Sequence, residues 1–369
     1  MKYFIIAGEA SGDLHASNIV KQIKLLDKNA EFEGWGGDLL IRNGVKVKKH
    51  IRDLAIMGFI EVLRNLRTIQ KNFKDCKLQI LDYKPDAIIF IDYPGFNLRM
   101  AEWAKKHNFK TIYFISPNVW AWKESRVKKI KKYVDKMYVI LPFEKDFYKK
   151  YDFDVEYYGN PLVDLIKNYK NKSFEDFKKE NNLSGKPIIA LMAGSRKQEI
   201  AKMLSIMIDV SKNFPDYEFI ITGAPAIEEN FYKKYLSNTE IKLIFGQTYE
   251  ILSHSTAGLI KSGTATLEAA LFKVPQVVCY KSSLISVLIA KIFLKIKYVS
   301  LVNIILGKPA VTELLQYNFN VNKTIDELNK ILPNGEKRNQ IMTDYNELYI
   351  KLDNDDIYKS IADSILRFI

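Results

Sequence analysis

The chain has 369 residues, of which 47% are hydrophobic and 27% charged, a composition typical of a soluble globular protein with two domains. Two cysteines argue against a disulfide framework, no apolar run is long enough to span a bilayer, and the apolar start is too short for a signal peptide. The net charge of +13 favours polyanionic partners: phosphorylated substrates, an anionic membrane or nucleic acid. We therefore expect a cytoplasmic protein.

The first predicted strand, Tyr3–Ala7, ends in the small turn "GEASGD" (8–13), and a helical pattern follows it with Ala16, Ile19, Ile23 and Leu26 on one face. This turn matches neither the G-x-G-x-x-G pattern nor the P-loop. The carboxylate of Glu9 would repel a pyrophosphate but could accept hydrogen bonds from sugar hydroxyls. The alternative is that Glu9 and Asp13 only cap helix amides.

The second predicted site follows the apolar strand Ala87–Asp92, at "IIFIDYPGFN" (88–97). Asp92 closes the strand, and Pro94 and Gly95 turn the chain directly after it. A carboxylate at the carboxyl end of a buried strand is partly desolvated, which raises its pKa toward that of a useful base. The alternative is an Asp that caps the next helix.

Further strands of the first half are predicted at Thr111–Ser116, Met137–Leu141 and Val155–Tyr158. The basic run Lys123–Lys136 has helical spacing, and a solvated basic helix face is the preferred interpretation of it. The polar segment Lys167–Pro187 predicts the connection between two domains.

The second half repeats the alternation of strands and helices. Its predicted strands are Ile188–Met192, Glu218–Thr222, Lys242–Phe245, Gly258–Lys261 and Gln276–Cys279, and helices close the chain from about Asn322. Two loops each follow a strand and open a helix, Gly194-Ser195-Arg196 and Ser262-Gly263-Thr264, with Glu268 about two turns into the second helix. Amides at helix starts and a guanidinium favour phosphate, and a carboxylate at that depth can bind ribose hydroxyls. Together the two loops predict a nucleotide diphosphate site.

The predicted fold class is α/β, with two Rossmann-like doubly wound domains and a ligand bound in the cleft where they face each other. GT-B glycosyltransferases, nucleotide-sugar epimerases and some two-domain dehydrogenases share this pattern. Metal chemistry is poorly supported. The four histidines show no zinc spacing, and the D-x-D at Asp152–Asp154 lies in a charged tract without Rossmann-like context. No metal is expected.

Eight motifs occur in the order in which one glycosyltransferase family carries them. They are "GEASGD" (8–13), "IDYPGFN" (91–97), "SPNVWAW" (116–122), "LPFEKDFY" (141–148), "GNPLVD" (159–164), "AGSRKQEI" (193–200), "SGTATLE" (262–268) and "YVSLVNIILG" (298–307). The set closely resembles the lipid-A-disaccharide synthases. The resemblance implies a GT-B, inverting, metal-independent and cofactor-free transferase. Its substrates would be UDP-2,3-diacylglucosamine and 2,3-diacylglucosamine 1-phosphate, joined by a β-1,6 linkage with release of UDP in the lipid A pathway of Gram-negative bacteria.

The resemblance also implies roles for individual residues. Asp92 would be the catalytic base, with Glu9 beside it. Acceptor or cleft residues would be Ser11, Asn97 and Trp120. The donor nucleotide would be bound by Gly194, Ser195, Arg196, Ser262, Gly263, Thr264, Glu268 and Asn303. The chain departs from the family pattern at Gly95, Asn160, Ala193 and Val302, where Asp, His, Pro and Pro are usual.

Lipid substrates would explain why the stretch Met57–Phe73 combines apolar and basic residues. Its residues Phe59, Ile60, Leu63, Arg64 and Arg67 are predicted to contact the inner-membrane surface, which makes the protein a cytoplasmic, peripherally bound enzyme. The alternative is an amphipathic core helix. The run Leu284–Leu306, apolar with lysines, is interpreted as a core helix with snorkelling lysines.

The expected domains are 1–165 for the acceptor, the base and the membrane, 166–345 for the UDP-sugar, and a closing helix at 346–369 that could pack back on the first domain. Two rivals remain: another UDP-sugar enzyme such as an epimerase, and a nucleic-acid-binding protein, for which no binding motif is found. No nucleic acid partner is expected, and an oligomer is left open.

Overall fold

The computed structural model describes residues 1–54, 66–121, 124–237, 239–282 and 297–369. They form two compact units, Met1–Asp164 with Asp353–Ile369, and Leu165–Leu352. Each unit contains one parallel sheet. The predicted α/β class with two doubly wound domains is confirmed.

The first unit has a seven-stranded sheet in the order β3-β2-β1-β4-β5-β6-β7. Its strands are β1 Lys2–Ala7, β2 Glu31–Gly36, β3 Lys46–His50, β4 Ala87–Ile91, β5 Lys110–Phe114, β6 Lys136–Val139 and β7 Glu156–Tyr157. Its helices are α1 Ala10–Leu26, α2 Asp38–Arg42, α3 Leu66–Tyr83, α4 Pro94–Lys106, α5 Arg126–Tyr133 and α6 Pro142–Lys149, with a 3-10 turn at Ile51–Asp53. The helix α7, Pro161–Lys167, runs across the boundary into the second unit.

The second unit has a six-stranded sheet in the order β10-β9-β8-β11-β12-β13. Its strands are β8 Ile188–Met192, β9 Glu218–Gly223, β10 Lys242–Phe245, β11 Ser255–Lys261, β12 Gln276–Tyr280 and β13 Thr312–Leu315. Its helices are α8 Phe174–Asn181, α9 Lys197–Ser211, α10 Glu229–Leu236, α11 Thr248–Ser253, α12 Thr264–Leu271, α13 Leu301–Leu306, α14 Val321–Asn329 and α15 Arg338–Leu352, with a 3-10 turn at Gln316–Asn318.

Both sheets reverse their strand order at one point, next to the first strand of the unit. In the first sheet β1 pairs with β4, and in the second β8 pairs with β11. Doubly wound sheets bind ligands outside the carboxyl ends of the strands at such switch points, because the loops there diverge to opposite faces. The fold therefore indicates four loops as candidate ligand-binding sites: those after β1 and β4, and those after β8 and β11.

Three strands and one helix differ from the sequence prediction. The strands β2, β3 and β13 were not predicted, because charged residues and glycines interrupt their apolar pattern; β3 and β13 are also sheet edges. The segment predicted as a connection contains α8, whose first turn is capped by the Ser173 hydroxyl accepting from the Asp176 N–H. Leu26 is 42% exposed and does not share the buried face of α1.

The closing helix α16, Ile357–Phe368, belongs to the core of the first unit. Its apolar side packs with α1 and β1, and Ile357, Ile361 and Ile365 are buried. Polar contacts accompany this packing: the Tyr358 hydroxyl lies 2.7 Å from Nδ1 of the buried His15, and the Tyr138 hydroxyl donates to the Ser364 hydroxyl over 3.0 Å. Burial lowers the pKa of His15 to about 4, so the ring stays neutral at physiological pH.

Among the residues that the structure describes, no helix combines the length and the apolar character needed to cross a membrane. Most of Leu284–Leu306, interpreted from sequence as a core helix, lies outside the described residues at 283–296. Its last part forms α13, in which Val302, Ile305 and Leu306 are buried.

Candidate active site

The switch point of the first sheet brings together the two acidic loops predicted from sequence. Glu9 follows β1, and Asp92 follows β4, its partner strand. The ring of Tyr93 lies against Gly8, where a Cβ would stand 2.4 Å from it. A side chain at position 8 would therefore push the Asp92 loop away from the "GEASGD" turn.

The backbone at Asp92 is held in an uncommon conformation. Asp92 and Tyr93 have φ values of +44° and +50°, a region that residues with a side chain rarely adopt. Two hydrogen bonds hold the Asp92 carbonyl oxygen: the Tyr113 hydroxyl donates to it over 2.6 Å and the Asn97 amide over 2.8 Å. Backbone strain of this kind persists only where the surrounding structure stabilises the strained conformation, and it is common at functional sites.

The electrostatics of this loop make Asp92 a competent base. Burial raises the pKa of the Asp92 carboxyl to about 6; the negative charge of Glu9 adds to that rise, and the Tyr93 backbone N–H opposes it. A carboxylate with a pKa near 6 is ionised at pH 7 and is still basic enough to accept a proton. The sequence prediction of a partly desolvated carboxylate agrees with this geometry.

The two acidic residues of "GEASGD" have different roles. Asp13 is buried and accepts the backbone N–H groups of Gly37, Leu39 and Leu40 at 2.7, 3.0 and 3.3 Å, so it caps the start of α2. Glu9 stands at the N-cap of α1 without a side-chain cap bond and is exposed, as is Ser11. Glu9 is therefore available to a ligand or to Asp92.

Asn97 and Trp120 were predicted to line the acceptor site, and the structure places them in different surroundings. Asn97 is fully buried and its amide donates to the carbonyl oxygens of Ile91 and Asp92, so it holds the Asp92 loop in place. Trp120 is half-buried and meets Phe143 edge-to-face at 4.9 Å between ring centres. It remains a candidate for contact with the acceptor.

The "LPFEK" motif supplies a buried acid that sequence reasoning did not interpret. Glu144 accepts the backbone N–H of Leu141 at 3.0 Å and so caps α6. Burial raises the pKa of Glu144 to about 8, while hydrogen bonds from the Leu141 and Ile140 backbone oppose the rise. Its contacts give this part of the motif a structural role.

The second switch point carries the two glycine loops. Gly194 follows β8 with φ +114°, and Gly263 follows β11 with φ +150°, conformations that favour glycine. Ser262 donates its hydroxyl to the Val299 carbonyl over 2.7 Å, which orients the loop. The N-termini of α9 and α12 follow these loops, so their free amide groups lie at the carboxyl edge of the sheet.

Arg196 and Glu268 have the properties that a nucleotide site requires. The Arg196 side chain is 73% exposed at the N-cap of α9 and free to reach a phosphate. Glu268 is half-buried in α12, and the Tyr249 hydroxyl lies 3.4 Å from one of its carboxylate oxygens. Burial raises the pKa of Glu268, and the contact with Tyr249 opposes that rise.

Asn303 was predicted as a nucleotide ligand, and in the structure its side chain makes hydrogen bonds within the second unit. It is buried, its amide donates to the Val311 carbonyl and to Glu313 at 2.9 Å each, and its Oδ1 accepts the Val311 N–H at 2.9 Å. Glu313 also accepts the backbone N–H of Ser300 at 2.8 Å. Asn303 and Glu313 thus join α13 to β13, next to the glycine loop at Ser262.

Sequence reasoning missed Glu199 and Lys261, which link the two glycine loops. The Lys261 ammonium lies 3.1 Å from Oε1 of Glu199. Glu199 is three residues after Arg196 in α9, and Lys261 directly precedes Ser262. Glu199 stands in the "AGSRKQEI" motif, whereas the signal for Lys261 was this adjacency alone, because one lysine in a chain with 56 basic residues does not stand out.

Within the described ranges, no cluster of three or more acidic, histidine or cysteine side chains could hold a metal ion. Of the predicted membrane residues, Phe59, Ile60, Leu63 and Arg64 lie outside the described residues. Arg67 is exposed at the start of α3.

Comparison with known proteins identifies the relatives of this chain. The family model described as lipid-A-disaccharide synthetase matches residues 3–366. A lipid-A-disaccharide synthase of Coxiella burnetii is 36% identical over 370 residues, covering 99% of this chain and 98% of the relative. Lipid-A-disaccharide synthase 1 of Legionella pneumophila is 39% identical over 323 residues, covering 86% and 84%.

Among solved structures, the crystal structure of UDP-GlcNAc 2-epimerase from Neisseria meningitidis bound to UDP-GlcNAc is similar. It has a TM-score of 0.70 and 13% sequence identity, and the match covers all of both chains. At that identity the likeness shows the shared fold, which is the GT-B class predicted from sequence.

Proposed function

This chain belongs to the lipid-A-disaccharide synthetase family, and we propose that Asp92 is its catalytic base and that its second unit binds the UDP of the donor. The reaction transfers 2,3-diacylglucosamine from UDP-2,3-diacylglucosamine to 2,3-diacylglucosamine 1-phosphate. A β-1,6 bond forms and UDP leaves. The loop geometry at Asp92 is the observation on which the assignment of residues chiefly rests.

The proposed chemistry is a single displacement. Asp92 takes the proton from the acceptor 6-hydroxyl while that oxygen attacks C1 of the donor sugar and the bond from C1 to UDP breaks. The pKa of Asp92, raised to about 6 by burial and by Glu9, supports this role because the carboxylate is charged at pH 7 yet basic. Glu9 contributes its charge and is free to accept hydrogen bonds from sugar hydroxyls.

The leaving diphosphate needs positive charge and N–H donors. The amides after Gly194 and Gly263, the hydroxyls of Ser195 and Thr264, and the Arg196 guanidinium are suited to supply them. Glu268, one and a half turns into α12, is the proposed partner of the ribose hydroxyls. This assignment makes the second unit the UDP-sugar domain and the first unit the acceptor domain.

An exposed stripe on α3 supports contact with a membrane surface. Arg67, Lys71 and Lys74 are exposed, and Leu78 and Leu81, which continue the same helical row, are 55% and 44% exposed. Lifting a diacyl substrate into water would cost about 0.8 kcal/mol for each methylene exposed, so docking on the leaflet is favoured over extraction. We infer a peripheral enzyme on the cytoplasmic side of the inner membrane.

An assay of UDP release tests the proposed reaction and separates it from that of an epimerase-like enzyme. The purified protein is incubated with UDP-2,3-diacylglucosamine, with and without 2,3-diacylglucosamine 1-phosphate. We expect UDP and the disaccharide 1-phosphate to appear together, and only with the acceptor present. UDP release that is independent of the acceptor, without a disaccharide, would contradict the proposal.

A further inference from the structure

The carboxylate of Glu199 occupies the place between the two glycine loops of the second unit. Its Oε1 lies 3.1 Å from the Lys261 ammonium and 3.8 Å from the Arg196 guanidinium. Its Oε2 accepts the Ser195 backbone N–H at 3.4 Å and lies 2.7 Å from where a Cβ of Gly194 would stand. One carboxylate is thus surrounded by the donors that the proposed function gives to an anion.

Lys261 reaches the same place from the other loop. It is the last residue of β11, which pairs with β8 at the switch point, and its ammonium lies 3.9 Å from the position of a Gly263 Cβ. Its side chain is 21% exposed and also lies over the Tyr280 ring, 5.9 Å from the ring centre. The ammonium is therefore held at the mouth of the second glycine loop and not free in solvent.

We propose that Lys261 binds the diphosphate of the donor, and that Glu199 is its partner only while the site is empty. This inference rests on the proposed function, since it takes the UDP site to lie at these loops. A diphosphate carries more charge than one carboxylate and brings more acceptor oxygens, so it competes for Lys261, Arg196 and the Ser195 N–H. On binding, Lys261 exchanges its ion pair with Glu199 for a charge-assisted hydrogen bond to a phosphate oxygen.

This exchange has two consequences. Lys261 supplies a second positive charge to the leaving group, beside Arg196, which stabilises the charge that develops when the C1–oxygen bond breaks. Glu199 opposes binding, because UDP must displace it from its donors, and this opposition also helps UDP to leave after transfer. The two residues therefore act on UDP affinity with opposite signs.

The test measures UDP affinity by titration calorimetry on the intact chain and six variants. Lys261→Met keeps the aliphatic stem and should weaken UDP binding about tenfold to a hundredfold, the value of a hydrogen bond to a charged group. Lys261→Arg should recover most of the affinity. Glu199→Gln should bind UDP more tightly than the wild type, and the double variant Glu199→Gln/Lys261→Met should lose most of that gain.

Lys212→Met is the matched control, because Lys212 also pairs with an acid, Asp209 at 2.6 Å, in the same unit but at the other end of α9. It should leave UDP affinity unchanged. Circular dichroism and thermal unfolding show whether each variant is folded. A folded Lys261→Met variant with UDP affinity within twofold of wild type would overturn the inference, and so would a loss equal to that of Lys212→Met.

Arg196→Ala, measured in the same series, separates failure of this inference from failure of the proposed function. Weakened binding in Arg196→Ala with normal binding in Lys261→Met would refute the role of Lys261 and leave the UDP site in place. Normal binding in both would place the nucleotide elsewhere. A Glu199→Gln variant that binds UDP less tightly would overturn the competition between Glu199 and UDP.

Discussion

The two sheets of this protein share one strand order around their switch points but carry opposite charges there. In the first unit the loops after β1 and β4 present Glu9 and Asp92, and in the second the loops after β8 and β11 present Arg196 and Lys261. Burial raises the pKa of Asp92 to about 6 and the negative charge of Glu9 adds to that rise, which suits the base that we propose. The basic pair attracts an anion. On our proposal, one fold thus serves proton removal in one unit and stabilisation of a leaving group in the other.

The loops differ in backbone as well as in charge. The Asp92 loop has non-glycine residues, Asp92 and Tyr93, at positive φ, and two hydrogen bonds hold the Asp92 carbonyl. The anion loops use Gly194 and Gly263 at their positive-φ positions. A base must be fixed at one point, whereas a diphosphate needs backbone amides that it can approach closely.

The largest effect expected from this difference concerns Asp92. Asp92→Asn should lower turnover about 10²-fold or more, because the amide cannot accept the proton of the 6-hydroxyl. Steady-state UDP release with both diacylated substrates measures it. Asp152→Asn is the control, since the Asp152 side chain is 96% exposed. Turnover of Asp92→Asn near that of the control would remove Asp92 from the mechanism.

The second prediction concerns the basic switch point. Arg196→Ala and Glu268→Ala should each weaken UDP binding by about 1–3 kcal/mol, because each loses a charge-assisted hydrogen bond to the nucleotide. Titration calorimetry with UDP measures this change. Unchanged affinity in both variants would show that the second unit does not hold the nucleotide where we infer.

The third prediction concerns the support of the catalytic loop. Tyr113→Phe removes the 2.6 Å hydrogen bond to the Asp92 carbonyl and should cost about 0.5–1.5 kcal/mol in the activation barrier, a fall in kcat of about two- to tenfold. UDP affinity should stay at the wild-type value. A parallel fall in kcat and UDP affinity would mean that the hydroxyl only stabilises the fold.

The fourth prediction concerns the membrane stripe, which lies on the first unit alone. Leu78→Glu with Leu81→Glu should lower sedimentation with anionic vesicles several-fold at low salt, because both side chains are exposed and face the same side as three cations. Leu25→Glu, another exposed leucine, is the control. Wild-type protein that stays in the supernatant at low salt would refute surface docking.

The smallest effect expected is a shift in the pH dependence of kcat/KM. Asp92 acts as a base only when ionised, so kcat/KM should be constant above its pKa of about 6 and fall tenfold per pH unit below it. Glu9→Gln removes the negative charge that raises this pKa, so the acidic limb should move to lower pH. A limb that stays in place, or moves to higher pH, would show that Glu9 does not act on Asp92 electrostatically.

Sequence alone predicted the parts that depend on continuous apolar runs. The strands β1, β4, β8 and β11, which form both switch points, are apolar on both faces, and the polar residues that end them were therefore recognisable. Edge strands such as β3, with the sequence "KVKKH", have no such pattern. They form by pairing with a neighbouring strand instead.

Individual side chains were harder to predict, since a motif does not tell which polar groups are already bonded within the protein. Asn97 and Asn303 stand in recognisable motifs, yet both are buried and bonded to backbone carbonyls. Lys261 lies outside any motif, and its place between the loops depends on the pairing of β8 with β11. Its importance becomes visible only in three dimensions.

We propose that the base lies at one switch point and the nucleotide site at the other. The most direct test compares the UDP affinity of Asp92→Asn with that of Arg196→Ala in one calorimetric series. We expect Asp92→Asn to bind UDP as tightly as the wild type although its turnover is lost, and Arg196→Ala to bind UDP more weakly. If Asp92→Asn loses UDP affinity to the same extent as Arg196→Ala, the separation of base and nucleotide site is contradicted.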